Sequence, residues 1–391
     1  MKRFTAQFII TNSGSLLKRG VITTEDDGTI ISVEDTAGEL KEKHSTEFYN
    51  GIIIPGFVNC HCHLELSHMK GVTSKGTGLG SFIEEIRSNR NSNNENILTS
   101  AFSADKSMFD EGIVLCADVC NTSDTFKIKK ESRIKYISLI EVFGLDPDKA
   151  ESRINEILKT AESARALRLS YSLVPHSAYS VSLTLLRLLK NESLNNRVTS
   201  IHFMESDGEE IFLRNHTGPL MSAYKRSGMI PSRLELAGSH SDIILNEMTQ
   251  SGNLILVHNT FADKTTIRLI KGRKNLFWCL CPNSNIYIEN IIAPLNLLIE
   301  EGCEIVIGTD SLASNTTLSI LEELKTLQSD FPELVIGDMV RWATMNGAKA
   351  LQEEEQFGSI EAGKKPGLLL LENVDLKNMK LLPDSSVMRL I

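Results

Sequence analysis

The sequence predicts an α/β protein: a (β/α)8 barrel of the TIM type carrying a small β-domain assembled from both chain ends. Three observations predict it. From residue 50 onward, short apolar runs alternate with longer amphipathic ones, and eight of the short runs qualify as strands. At both ends the pattern changes to short alternating stretches broken by turn residues. Side chains capable of chemistry gather at the C-terminal ends of the apolar runs, where barrel enzymes build their sites.

Residues 1–50 contain "QFIITNSGSLLKRGVITTEDDGTIISVEDTAG", which alternates and turns often, as antiparallel strands do. Residues 51–351 form the expected barrel. Its strands are "GIIIPGFVNCH", "GIVLCADV", "YISLIEVF", "LSYSLVPH", "VTSIHFM", "NLILVHN", "LFWCLCP" and "CEIVIGTD". The stretch "DPDKAESRINEILKTAESARAL" reads as a helix opening on Asp146, with Pro147 at an early helical position. "LSILEELKTL" reads as another, whereas "CNTSDTFKIKKESR" after the second strand is polar and only weakly helical. Residues 352–391, with "FGSIEAGKKPGLLLLENV", return to the strand pattern and complete the small domain.

Bulk properties exclude several classes. The 391 residues suffice for one large and one small domain. A net charge of −9 argues against a nucleic-acid surface, which is normally basic. No apolar run approaches membrane-spanning length, and "MKRFTAQFII" gives way to "TNSGS" too soon for a secretory signal. Seven cysteines without small-domain spacing read as reduced thiols of a cytoplasmic protein. The expected partners are a small-molecule substrate and, at most, a second copy of the chain.

The first barrel strand ends in "NCHCHLELSH", where Cys60, His61, Cys62 and His63 are all potential ligands. Along a strand, alternate side chains share a face, so one pair faces a site and the other packs. Cysteine packs readily as a small apolar residue, so the histidines are the better ligands. A zinc knuckle of Cys60, Cys62, Cys279 and Cys281 is the rival. Five histidines (His61, His63, His176, His202 and His258) lie at strand ends, as does Asp310, a concentration that core packing does not explain. His68 reads as a loop residue. His44, His216 and His240 sit in polar contexts and are expected to be exposed.

The motifs "PGFVNCHCHLELS", "VPHSAYSVS", "IHFMES", "LVHN", "CPNSN", "IGTDSLASN" and "GSIEAGKKPGLLLL", in this order, resemble the amidohydrolase superfamily and its deaminase and chlorohydrolase branch. The resemblance implies that the terminal segments form a β-sandwich. It also implies that His61, His63, His202 and Asp310 hold one divalent metal, zinc first and iron(II) second. Glu205 would be the proton shuttle, His258 would stand beside the attacking water, Asp310 would take a second proton, and His176 would contact substrate. Two-metal members carry a carboxylated lysine or a glutamate at the fourth strand. "SLVPHSAYS" has neither, so one metal is expected. Asn283 stands where the family commonly has arginine, and Pro366-Gly367 where it has Ala-Asp.

The implied reaction is hydrolytic deamination of an electron-poor ring. "ESDGEEIFLRNHTGPL" and "GSFIEEIRSNR" look like the group acting on adenine nucleosides, aminodeoxyfutalosine included. Glu84 or Glu85 is a candidate for ribose hydroxyls, against the plainer reading of an amphipathic helix face. The alternatives are dechlorination or cyclic-amide hydrolysis at the same metal, and a catalytically silent metal-binding scaffold.

Overall fold

The first fifty residues alternate apolar and polar side chains and fold as strands β1 (Lys2–Ile9), β2 (Leu17–Lys18), β3 (Val21–Thr24), β4 (Ile30–Glu34) and β5 (Thr46–Pro55). The computed structural model of the chain describes residues 1–39 and 45–391, so His44 lies outside the described residues. Eight further strands follow: β6 (Phe57–Cys62), β7 (Ile113–Cys120), β8 (Lys135–Val142), β9 (Ser170–Pro175), β10 (Val198–Phe203), β11 (Asn253–His258), β12 (Leu276–Leu280) and β13 (Glu304–Ile307). The chain closes with β14 (Leu368–Asp375) and β15 (Lys380–Arg389). Both chain ends build one seven-stranded sheet, ordered β15-β14-β5-β1-β3-β4 with β2 beside β1. Its buried face is apolar, with Phe4, Ala6, Ile22, Ile53, Leu368 and Leu370 packed together.

The run "GIIIPGFVNCH", read as one strand, is two. Ile52–Pro55 belongs to β5 and pairs antiparallel with β14. Phe57 starts β6, which pairs parallel with β7. The break falls at Gly56, where a Cβ would lie 2.4 Å from Val114 Cγ1 and 2.6 Å from the Pro366 carbonyl oxygen. Only glycine leaves room for the chain to pass between the two sheets.

β6 to β9 form one four-stranded parallel sheet and β10 to β13 another. Isolated parallel bridges, Ser177 with His202 and Cys62 with Asp310, join the edges of the two. All eight strands contribute to one apolar cluster, through residues such as Val58, Leu115, Leu139, Val174, Val198, Val257, Cys279 and Val306. Their alternate residues, among them Phe57, Cys116, Ile140, Leu173, Ile201, Leu256, Trp278 and Ile307, pack into a second cluster with the helices. This is the two-faced burial that makes parallel strands nearly continuous apolar runs.

The helix expected from Asp146 is a turn, Pro147–Lys149, followed by the helix Ala150–Ala166. The Asp146 side chain caps it by accepting from the Asp148 N–H at 3.1 Å. The weakly helical segment after β7 yields only Phe126–Glu131. Among the described residues, no helix is long and apolar enough to cross a membrane.

Strict alternation fails along the first barrel strand. The β6–β7 register slips between Phe57 and Val58 and again between Asn59 and Cys62. Cys60 therefore packs with Val58 and Cys279, while Cys62 packs with Met108 and Cys116. The two thiols do not share a face as expected, although both are fully buried.

Candidate metal and catalytic site

His61 is held inside β6 and His63 follows it directly, and their Nε2 atoms face each other at 3.1 Å. Asp310, just beyond β13, sets Oδ1 at 3.5 Å from both. Its other oxygen accepts hydrogen bonds of 2.6 Å from Ser284 and from Ser314, which orient the carboxylate. His202, near the end of β10, places a ring nitrogen within 4.8 Å of those of His61 and His63. Its Nδ1 lies 2.8 Å from the His176 carbonyl oxygen and donates to it, so Nε2 is the free lone pair.

The electrostatics suit a cation. Burial holds His61 and His202 below the ordinary histidine value and pushes His63 down to about 3, with the neighbouring imidazoles adding to the effect on His63 and His202. Neutral imidazoles offer lone pairs. Burial alone would raise the Asp310 carboxyl, but His61, His63 and His258 outweigh it and keep it well below the usual range, hence ionised. Three neutral nitrogens and one carboxylate oxygen converging in a buried place fit a single divalent ion. Among the described residues the other grouping with ligand potential is Glu141, His176 and His202. It shares His202, and the His176 Nδ1 is already engaged by Ser177 and Ser180 at 2.9 Å. Among the described residues the cysteines form no such group.

Glu205 lies two residues past β10, buried, with Oε1 3.6 Å from His258 Nε2 and Oε2 accepting from the Tyr179 hydroxyl at 3.3 Å. Burial raises its carboxyl to about 7, against the opposing pull of His258. A group poised there both takes and gives protons at neutral pH. His258 itself ends β11, and Asn285 holds its Nδ1 at 2.9 Å. Its Nε2 is buried without a hydrogen-bond partner and faces Glu205. The backbone turns sharply here: Met204, His258, Asn259 and Asp310 have φ of 50°, 77°, 57° and 56°. Non-glycine residues in this region are strained, and such strain collects at functional sites.

These groups form the floor of a cavity of about 490 Å³. His176, His63, His202, Glu205, His258 and Asp310 all line it. Its apolar lining includes Phe82, Ile83 and Ile86 of the helix Leu79–Asn89, together with Phe143 and Met229, and Arg87, Arg90, Lys149 and Arg153 also line it.

The other polar residues singled out in the sequence meet different outcomes. His240 is buried, not exposed, because Glu209 and Glu210 flank its ring nitrogens at 2.7 and 3.1 Å. His216 is exposed. His68 is half-buried and turns away, its Nε2 2.9 Å from the Arg90 carbonyl oxygen. Asn283 does not reach the cavity: its N–H donates to Glu323 and its side chain accepts from Thr326. Glu84 pairs with Arg226, and Glu85 accepts from the Ser74 N–H, so neither lines the cavity.

Sequence reasoning missed Glu141. It lines the cavity with Oε1 3.7 Å from His202 Nδ1, and burial raises its carboxyl to about 8. The signal was present: a lone carboxylate near the end of the apolar run "YISLIEVF". Tyr179, Ser284 and Asn285 were also missed, and polar side chains in helices and loops carry no such signal.

Residues 52–388 match the model of a family described as the amidohydrolase family. A relative, an adenosine deaminase of Helicobacter pylori, is 29% identical over 334 residues, 82% of this chain and 79% of its own. The crystal structure of Helicobacter pylori aminofutalosine deaminase in complex with methylthio-coformycin superposes with a TM-score of 0.79 at 23% identity, over 96% of this chain and 93% of that one. That of atrazine chlorohydrolase from Arthrobacter aurescens TC1 complexed with zinc gives 0.75 at 14% identity, over 98% and 89%. The architecture is thus a TIM-barrel-like α/β fold.

Proposed function

The chain belongs to the amidohydrolase family, and from that premise we propose that it is a metal-dependent hydrolytic deaminase of an aminated purine nucleoside. One observation carries the reading. A buried carboxyl raised to about 7, Glu205, faces the unpartnered Nε2 of His258 beside the His61, His63, His202 and Asp310 cluster.

In this reading, those four residues would hold one divalent metal, zinc before iron(II), which would supply a water of lowered pKa as the nucleophile at neutral pH. Glu205 takes a proton from the water and delivers it to a ring nitrogen, which makes the adjoining ring carbon electrophilic. His258 donates from Nε2 to the oxygen that develops charge, with Asn285 orienting the ring through Nδ1. As the water oxygen bonds to that carbon, Asp310, held by Ser284 and Ser314, accepts the remaining proton and passes it to the amino group, which leaves as ammonia when the C–N bond breaks. His176, fixed by Ser177 and Ser180, presents Nε2 to the substrate.

The cavity supports a nucleoside over a bare ring. At about 490 Å³ it falls in the range of small-ligand sites, and its lining adds apolar side chains and Arg87, Arg90, Lys149 and Arg153 to the polar cluster. The activities for which the relative and one structural neighbour are named, adenosine and aminofutalosine deamination, agree with that extent. We also read the two parallel sheets as one closed eight-stranded barrel, since the bridges Ser177–His202 and Cys62–Asp310 lie at both seams. We read the terminal sheet as the β-sandwich domain beside it, expected over residues 1–50 and 352–391, with β5 carrying its first part on to Pro55. Free thiols on all seven cysteines support a cytoplasmic setting.

Ammonia release from adenosine, 5'-deoxyadenosine, 5'-methylthioadenosine and aminodeoxyfutalosine tests the proposal. Turnover of at least one by the metal-loaded protein is expected. Inactivity on all of them, with chloride or cyclic-amide hydrolysis in its place, transfers the site to the alternative reactions.

A further inference from the structure

Behind Glu205 lies a second buried cluster that the proposed reaction does not use. Glu209, in the first turn of the helix Gly208–Asn215, is fully buried. Its Oε1 accepts from the backbone N–H of Glu205 at 2.7 Å and of Ser206 at 2.9 Å. Its Oε2 lies 2.7 Å from His240 Nε2, and His240 Nδ1 lies 3.1 Å from Glu210 Oε2. A ring with a carboxylate oxygen at each nitrogen must donate from both, so His240 is an imidazolium. It opens a short helix capped by Ser239 and packs edge-on against Phe203, the last residue of β10, with centroids 5.3 Å apart. Met204, between Phe203 and Glu205, has φ of 50°. The chain leaves the strand through a strained residue, and the next two N–H groups are tied to one anion.

We propose that Glu209, with His240 as its counter-charge, is a positioning residue for Glu205. The Glu209 carboxylate holds the turn that aims the Glu205 side chain at His258, and His240 Nε2 lies on its other oxygen. The inference rests on the reading of Glu205 as the proton carrier. Helix capping accounts for part of the arrangement: Ser206 and Glu209 form a capping box, with the Ser206 hydroxyl accepting from the Gly208 N–H at 3.2 Å and Glu209 accepting from the Ser206 N–H. The Glu205 N–H on the same oxygen, and a buried histidine 31 residues further along the chain on the other oxygen, go beyond it. Charged hydrogen bonds of this kind are stronger than neutral ones and fix geometry. A misplacement of about 1 Å at a catalytic group costs on the order of 100-fold in rate.

The test uses the metal-loaded, full-length protein, three variants, metal analysis, thermal unfolding and steady-state kinetics on a turned-over purine nucleoside. Glu209→Ala removes the acceptor. Glu209→Gln with His240→Gln keeps an amide oxygen for both N–H groups and removes both charges. Glu209→Met with His240→Leu removes acceptor and charges while filling the space, a replacement buried ion pairs commonly tolerate. The expected result is a kcat loss of roughly 10- to 100-fold in Glu209→Ala and in the Met/Leu variant. KM and metal content stay near wild type, because the cavity wall and the metal ligands are elsewhere, and the Gln/Gln variant recovers most of the lost kcat. Wild-type kcat in any folded variant lacking the acceptor overturns the proposal. So do equal losses in kcat and KM, or metal loss, which mark a merely structural role. If neither acceptor-free variant folds, Glu209 serves the whole fold and the proposal fails. Glu205→Gln is measured alongside: if it stays active, the proton-carrier reading is what falls.

Discussion

Glu205 and Glu209 are both buried carboxyls four residues apart, yet they face different partners and differ in what a substitution would do. Glu205→Gln keeps nearly the same shape and can still accept from Tyr179, but it cannot carry a proton. A kcat loss of about 10²–10⁴-fold with unchanged metal content is expected, read by ammonia release and metal analysis. His202→Ala removes a ligand, so the purified variant should bind less than one equivalent of metal and lose activity with it. Cys60 and Cys62 offer the opposite control. They pack in two different apolar clusters, burial pushes the Cys60 thiol well above its ordinary value, and among the described residues neither belongs to a group that could hold a metal. Replacing both with Ala should leave the metal content intact and lower only stability, checked by the same metal analysis and by a urea midpoint.

Strands and their ends set where these side chains can go. β6 delivers His61 and His63 and runs beside the end of β13, which delivers Asp310. The approach is close because Gly308 lies between. A Cβ there would meet His61 Cβ at 2.8 Å, Cys279 Sγ at 2.9 Å and the His61 nitrogen at 3.0 Å. Gly308→Ala is therefore expected to cost about 1–3 kcal/mol, typical of overpacking, and to push His61 off its ligand position. Lower metal affinity in the folded variant, measured by competition with a chelator, is the specific outcome. A variant that loses stability but binds metal normally would show that β6 gives way elsewhere. The helix Pro282–Glu289 shows a related economy: Ser284 holds Asp310, Asn285 holds His258, and Asn283 turns outward to Glu323 and Thr326.

At the scale of the whole molecule, buried ionisable groups couple stability to pH. Burial would lower His240, but the hydrogen bonds and charges of Glu209 and Glu210 outweigh it and raise it to about 9. Burial raises Glu323 to about 8 despite the Asn283 and Asn315 hydrogen bonds that oppose it. In both, the folded protein binds its proton more tightly than the unfolded chain. Their stabilisation is complete below the unfolded values, near 6.5 and 4.5, and it is lost as pH rises through about 9 and 8. Each tenfold difference in proton affinity between the folded and unfolded chain is worth about 1.4 kcal/mol, so unfolding free energy should fall by a few kcal/mol between about pH 6 and pH 10. Urea unfolding across that range measures it. Glu323→Gln should flatten the part near pH 8, and a slope unchanged in that variant would remove Glu323 from the account.

Strand order and the gathering of histidines at strand ends are legible because periodicity and apolar runs are local properties. Eight runs lie where β6 to β13 lie, and His61, His63, His176, His202, His258 and Asp310 can be placed at their ends without knowing what they touch. Glu205 follows from its offset from His202 and the resemblance of "IHFMES" to the family's motif. Whatever depends on a partner distant in the chain is not legible. Gly56 splits one apolar run between two sheets because Val114 and Pro366 crowd it. Cys60 and Cys62 part company because the β6–β7 register slips. His240 stands in a polar context that suggests exposure, yet two glutamates 31 and 30 residues earlier bury and charge it. Glu141 sits in plain view in an apolar strand, and only the convergence of β8 with β10 makes it a neighbour of His202. Sequence alone determined which faces are apolar and which residue types sit at the strand ends. Tertiary structure decided which of them meet, because burial, charge pairing and register depend on packed neighbours that local periodicity does not encode.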